Sequence, residues 1–508
     1  MRGASSIPTR QRAWGGRTFR FRLQNFRLRD GFSLRRFSIV EAALLLMLAL
    51  LTSRALGVVR QVIFNDVFGT GPSANAYYAA YRLPDTLFNL IAGGALTSAF
   101  IPVFLAQERQ HGERAAWQLA SLVFNVLLVA MTLIVLLGEF FAPAFVSRVL
   151  IPGYSPAQQT LTTSLTRILL IQPLILGLGT IVTAGLNSKR QFLLPALSIA
   201  IYNFGVIGGL LVTLASPRVG IYGPTWGVLA ASLLQVGVQL PGLFKQHFRY
   251  TFTWDIRDPG LWQVLRLLLP NAAAVGVAYL GLIWETRVTS YLPDPASLAA
   301  LHNADMLQAL PAALIGQAIG QSLLPQLSLL SSSGRYVRLL QTVLRVMGVS
   351  ILLTVPAAIV LAVLGKPTIL LLFQHGAFNQ HSSDLTNLAL LGYAIALPGV
   401  AAGMLLANGF FALKDAFTPL CTNTFALVAR VGLLMVLPTL FHGEMIILAV
   451  PLALAGSATA EAVLMSLLLL WRLLRRRKHD QGMQRLLHWR QRVAAARAAD
   501  PEQATGTV

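Results

Sequence analysis

Three arginines, Arg54, Arg60 and Arg82, stand inside or beside stretches apolar enough to cross a bilayer, all between Leu51 and Phe104. A guanidinium is permanently charged and forks onto phosphate or carboxylate oxygens through paired N–H donors. One arginine at the centre of a membrane helix costs from roughly 2.5–3.5 kcal/mol, so such groups face a bundle interior or a water-filled cavity. The chemistry they point to is the binding of an anion. Arg54 is the deeper, about 24 Å along a helix that begins at Ser38. Arg60 is nearer the far end, where it either joins the site or snorkels to the interface. Their spacing turns about 240° around a helix, so they do not share one narrow stripe.

Downstream, Arg82, Asp85 and Asn89 fall at i, i+3 and i+7, one face of a helix. An Arg82–Asp85 pair would lower the cost of burying either charge, and Pro84 between them invites a kink. Gly93 and Gly94, in IAGGA, allow close packing or flexing. The stripe reads as a substrate site or as a packing seam around a buried ion pair. A later apolar stretch, LIWETRVTSYL, holds Glu285 and Arg287, which are two residues apart and do not face each other. Glu285, with Asp85 as second choice, is the candidate carboxylate for proton or cation coupling; the alternative is a salt bridge to Arg54 or Arg82. Arg287 joins the candidate substrate-binding set.

Enzymatic chemistry is not expected. The eight histidines show no HExxH spacing, there is no GxxxxGK[ST] loop, and the single Cys421 excludes an intrachain disulfide and a thiolate metal site. No cofactor or metal is expected.

The elements that position these residues follow from composition. Of 508 residues 55% are hydrophobic and 12% charged, the profile of a polytopic membrane protein. Twelve spanning helices are expected, the first at 38–64, the second at 76–106, the seventh at 262–292 and the eighth at 297–329. They form an N-terminal six-helix lobe at 38–245 and a C-terminal one at 262–471, joined by a cytoplasmic linker at 246–261. Most of the net charge of +21 sits in basic tails at 1–37 and 472–508. Such tails are topogenic signals and bind anionic headgroups rather than nucleic acid. Residues 1–34 and 476–508 offer no core to bury and are expected to be mobile. The first segment does not read as a cleaved signal peptide, because its apolar run continues past Arg54 without a small-residue cleavage site. With both termini cytoplasmic, the inner loops QERQHGER, SKR, KQHFRYTFTWDIRDPG, SSGRYVR and LKD each carry basic residues, while QHGAFNQHSSD and FHGE fall outside. A weak repeat links IAGGALTSAFIPVF from Ile91 with LIGQAIGQSLLPQL from Leu314, Gly93 matching Gly316 and Pro102 matching Pro325. Helices 2 and 8 would then be equivalents in two parallel halves, an architecture of alternating-access transporters with the substrate site between halves.

SRALGVVRQVIFNDVFGTG and ANAYYAAYRLPDTLFNLIAGGALTSAFIPVF resemble the start of the MurJ (MviN) lipid II flippases, within the multidrug/oligosaccharidyl-lipid/polysaccharide exporter superfamily. NADMLQALPAALIGQAIGQSLLPQLS at 303–328, ILLLFQHGAFN at 369–379 and LLANGFFALKDAFTPL at 405–420 extend the resemblance, which covers roughly 38–471. It implies a two-lobed bundle in a bacterial inner membrane that carries undecaprenyl-linked peptidoglycan precursor between leaflets, its arginine-lined cavity holding the diphosphate and sugar head. Membrane lipids and cell-wall synthesis proteins are the other partners it implies. Arg54 and Arg60 agree with the family's helix 1 arginines. Where well-studied members have Asp, Asn, Arg and Glu in helix 2, this chain has Asn75, Asp85, Phe88 and Gly93; in helix 8, Met306 and Ala309 replace an Arg and a Glu. Two expected cavity arginines are thus missing, and Arg82 and Arg287 are the candidates to compensate. Two other functions stay open: an ion-coupled exporter of drugs or other lipid-linked glycans, and a non-transporting partner in cell-wall assembly.

Overall fold

The computed structural model describes residues 39–499 apart from 92, 93, 247 and 249; the described residues are helix and turn, with no strand. Sixteen α-helices follow one another: α1 (Ile39–Phe68), α2 (Pro72–Ile91), α3 (Gly94–His111), α4 (Glu113–Phe145), α5 (Pro156–Leu169), α6 (Ile171–Ser188), α7 (Leu193–Ala215), α8 (Tyr222–Gly237) and α9 (Leu240–Lys245), then α10 (Pro259–Thr289), α11 (Ser297–Ala312), α12 (Ala318–Ser332), α13 (Tyr336–Phe373), α14 (Gln380–Ala412), α15 (Phe417–Val436) and α16 (Ala449–Ala499). Four of these share a rod with their predecessor, as α6 does with α5 and α12 with α11, so the described residues form the twelve rods expected. Ten are long and apolar enough to cross a membrane, and α10 adds an eleventh when its halves, bent by 45° after Pro270, count as one. The remaining rod, α11 with α12, is diluted by His302, Asn303, Asp305, Gln308 and Gln317. The chain is an all-α, multi-pass membrane protein.

Local chemistry sets the boundaries. Ser155 and Asp258 cap α5 and α10 through side-chain oxygens that accept from Gln158 N and Leu261 N, each followed by a proline that tolerates the first helical position. Asn379 caps α14 by accepting from Ser382 N at 2.9 Å. A π-helical turn, Ala313–Gln317, joins α11 to α12 and contains Gly316, the partner of Gly93 in the sequence repeat. α2 runs through Pro84 without interruption. The C-terminal helix continues past 471 to Ala499, where a tail was expected to begin. Gly93 and the N-terminal tail lie outside the described residues.

Two packed cores fill the first lobe. At the end where α3 gives way to α4, Phe100, Phe104, Trp117 and Leu186 enclose Leu261, Val264 and Leu268 from the first half of α10. Those two leucines and the valine are spaced i, i+3, i+7, a single stripe. The second half of α10 joins the other lobe, where Trp284 and Val288 pack against the cluster around Phe373, Phe378 and Leu390. The bend after Pro270 therefore carries α10 from one lobe into the other. The extended linker before it lies along α4: Tyr250 Oη donates to Asn125 Oδ1 at 2.7 Å, and Asn125 Nδ2 donates to Thr253 O at 3.0 Å. At the same end Lys189 binds Glu108 at 2.5 Å and Glu113 at 2.6 Å, and Arg472 pairs with Asp415. Burial lowers the ammonium pKa of Lys189, but hydrogen bonds to the two carboxylates outweigh it and hold it above its ordinary value.

The opposite end is sealed by polar contacts between lobes. Gln61 Nε2 donates to Tyr78 Oη at 2.6 Å and to Asn303 Oδ1 at 2.9 Å, and Asn65 Nδ2 donates to the same Asn303 oxygen at 2.9 Å. Asn75 donates to the carbonyls of Thr70 and Gly71 and accepts from Ala299 N at 2.8 Å. Thr70 and Ser382 share a hydroxyl hydrogen bond of 2.7 Å, and Ala377 N donates to Asp66 O at 2.8 Å. Backbones approach so closely that a Cβ on Gly376, whose φ is 52°, would lie 2.3 Å from Asp66 O. Replacing Thr70 and Ser382 by cysteine, with the exposed Cys421 changed to alanine, is expected to give a disulfide in high yield under mild oxidation, read by gel mobility. A G376A change in that background lowers the yield, and an uncrosslinked pair in the parent contradicts the seal.

Candidate functional site

Beneath the seal lies a cavity of about 550 Å³ built almost wholly by the first lobe. α1 supplies Ser53, Arg54, Gly57, Arg60, Gln61 and Phe64, and α2 supplies Tyr77, Tyr78, Tyr81, Arg82, Asp85 and Phe88. Both sets recur every three or four residues, so each is one helix face. α6, α7 and α8 add Gln172, Tyr202, Asn203 and Gln235; His302 is the contribution of α11. Arg54 and Arg60 reach the same space because they flank Gly57 on either side, and long side chains close the angle between them. α1 is held to α7 by Asn203 Nδ2, which donates to Ser53 Oγ at 3.0 Å, and by Ser53 Oγ, which donates to Ile199 O at 3.2 Å.

Arg82 and Asp85 both line the cavity but are not the ion pair expected. Arg82 Nε donates to Thr286 Oγ1 on α10 at 3.0 Å, whereas Asp85 accepts from Asn89 Nδ2 at 2.8 Å and hydrogen-bonds Tyr279. α10 packs against α2 closely enough to offer each a partner of its own. Both groups still lie near one another and line the cavity. Asn89 is not part of the cavity wall; it donates to the Asp85 carbonyl at 2.9 Å as well as to its carboxylate, and so braces Asp85.

Arg287 sits elsewhere. Its Nη1 donates to Arg148 O at 2.6 Å and Val149 O at 3.1 Å, and its guanidinium lies 5.7 Å from the Trp284 ring. It satisfies carbonyls at the C-terminus of the first lobe's π-turn Val146–Leu150, so it does not compensate for the missing cavity arginines. Glu285 pairs with Arg430 on α15, not with Arg54 or Arg82, and accepts from Tyr393 Oη at 3.5 Å. Asp305 is close enough to feel both Glu285 and Arg430. Phe88 faces the cavity where the family resemblance led us to expect a guanidinium, while Met306 and Ala309 are absent from its wall. Gln172, Tyr202, His302, Asn303, Arg430 and Asp305 were not singled out from sequence. The polar run HNAD at 302–305 and the Gln61–Asn65 step of one helical turn were the available signals.

An arginine-lined cavity below an interlobe seal in a twelve-rod bundle is a transporter's arrangement, and comparison with known proteins says which. The sequence pattern of the family described as "Lipid II flippase MurJ" matches residues 64–499. The chain belongs to the MurJ family. A Lipid II flippase MurJ of Burkholderia cenocepacia is 33% identical over 377 residues, 73% of this chain and 72% of that protein. Among solved structures, "Lipid II flippase MurJ, inward closed conformation" superposes with a TM-score of 0.69 at 23% identity, covering 85% of this chain and 92% of that one. An inward-facing MATE-family multidrug resistance transporter of the MOP superfamily reaches a TM-score of 0.74 at 14% identity, covering 86% and 99%. At those identities the two structures speak to fold. The MurJ chain described here shares that fold and is a transporter, not an enzyme.

The buried Glu285–Arg430 pair yields a stability test. Removing one partner strands a charge, so E285L is expected to destabilise the protein by about 3–5 kcal/mol, whereas E285L/R430M costs much less. Thermal unfolding in detergent reads the difference; equal losses in the single and double variants contradict the pairing.

Proposed function

We propose that this protein carries lipid II, the undecaprenyl-diphosphate-linked peptidoglycan precursor, from the inner to the outer leaflet of a bacterial inner membrane by alternating access. The observation that carries the proposal is the convergence of Arg54, Arg60 and Arg82 on one cavity. Membership of the MurJ family supplies the cargo; the cavity supplies chemistry to match it. Three fixed guanidinia suit a diphosphate, whose oxygens accept paired N–H donors, and the low-dielectric surroundings strengthen each contact. Asp85 near Arg82 offsets part of the positive charge, so the empty cavity is less costly to keep.

The sealed end is assigned to the outside and both termini to the cytoplasm, a reading supported by the basic loops that fall on the terminal side. The cavity then loads from the cytoplasmic side. Release outward requires breaking the amide and hydroxyl contacts among Gln61, Asn65, Tyr78, Asn303, Thr70 and Ser382 and forming another closure on the opposite side. Each such hydrogen bond contributes only about 0.5–1.5 kcal/mol net, so the seal can open without unfolding either lobe. The polyprenyl tail remains among membrane lipids. Enzymes that make and consume such a lipid are the proposed protein partners, and the basic ends answer to anionic headgroups.

Each of R54A, R60A and R82A is expected to slow lipid II transport about tenfold to hundredfold, the range for a lost hydrogen bond to a charged group. R287A, outside the cavity, should transport at the parent rate. Rescue of a strain depleted of its own lipid II flippase, with transport in reconstituted vesicles, reads both. Full rescue by the R54A/R60A/R82A triple variant contradicts the proposal.

A further inference from the structure

The cavity wall also has an uncharged polar region. Tyr81 Oη and Tyr202 Oη share a hydrogen bond of 2.5 Å, and Gln172 Nε2 donates to both, at 3.3 and 3.1 Å. Gln172 is only 6% exposed and lies in the cavity wall, yet its Oε1 has no partner among the described residues. Leaving a buried acceptor unpaired is costly, so it marks a place where a donor is missing. The hydroxyls show the complementary vacancy. Two phenols bring two hydrogens; their mutual bond uses one, and the amide nitrogen occupies acceptor sites only. One hydroxyl hydrogen is left free beside a carboxamide oxygen that accepts from nothing. Next to this triad runs a wall of rings, with Phe64 5.1 Å from Tyr77 and Tyr77 5.7 Å from Tyr81.

We infer that Gln172, Tyr81 and Tyr202 form a neutral subsite for hydroxyl groups of a sugar ring, with Tyr77 and Phe64 as the adjoining apolar wall. The inference rests on the flippase reading and assigns the part of the cargo the arginines do not take. A single hydroxyl, or two on adjacent ring carbons, donates to Gln172 Oε1 and accepts the free phenolic hydrogen at once. A trans amide does not, because its N–H and C=O point in opposite directions. An anion is also unsuited, since it offers no donor to the orphan oxygen. The arrangement separates tasks: charge is read by Arg54, Arg60 and Arg82, and the glycan by uncharged groups.

The test compares two ligands on the full-length protein in nanodiscs: undecaprenyl diphosphate, and the same lipid carrying one hexose. The parent is expected to bind the glycosylated lipid about three- to tenfold more tightly, the value of one net hydrogen bond. Q172L and Y202F should bring that ratio to near one, while R54A weakens both ligands and keeps the ratio. Y202F retains the ring and its packing, so loss of the ratio there is not a folding failure. Equal affinity of the parent for the two lipids, or a preference that survives both Q172L and Y202F, overturns the subsite and leaves the flippase reading standing. Failure of the parent to bind either lipid overturns the flippase reading, and the subsite with it.

Discussion

Every polar group placed inside an apolar bundle in a membrane must find its partner within the protein, because the surrounding hydrocarbon offers none. That constraint organises this structure. It gathers Gln61, Asn65, Asn75 and Asn303 into one interlobe seal, each bonded to side chains or backbone of the other lobe or of its own turn. It commits Glu285 to Arg430, and Arg287 to two carbonyls. Where arginines line a cavity instead, the space around them is where an anionic partner belongs. The seal and the cavity are thus two answers to one problem: polar atoms either close the lobes on each other or wait for cargo.

The helical framework was legible in the sequence because it depends on long-wavelength features: apolar runs of about 20 residues, loop charge, and Gly or Pro punctuation. Arg54, Arg60, Arg82 and Asp85 were also legible, as charges too costly to leave in lipid, and all four line the cavity. Their partners were not. Arg82 lies 204 positions from Thr286 and Glu285 lies 145 from Arg430, and spacing along one helix carries no information about a neighbour that tertiary packing brings up. Arg287 shows the same limit from the other side: its charge flagged it, but the C-terminal carbonyls it satisfies belong to a distant turn. Neutral residues such as Gln172 and Tyr202 carried no cost signal and became visible only through an unpaired oxygen.

The missing arginines at Phe88 and Met306 acquire a physical meaning from this arrangement. Phe88 lies at the cavity wall, so the site has an apolar face where the family resemblance pointed to charge. The charged groups of the wall sit on α1 and α2, in one lobe, and α11 contributes His302 alone. A head group held by one lobe can follow that lobe as the seal opens. The bend in α10, which begins in the first lobe's core and ends in the second, gives the two halves a continuous mechanical link.

The central claim is that the diphosphate head of lipid II occupies this cavity, and photocrosslinking tests it most directly. With a photoreactive amino acid at position 88, irradiation in vesicles containing lipid II is predicted to give a lipid adduct that unlabelled lipid II competes away and that R54A diminishes. No adduct at position 88, together with a strong one when the probe replaces Arg287, would contradict the account.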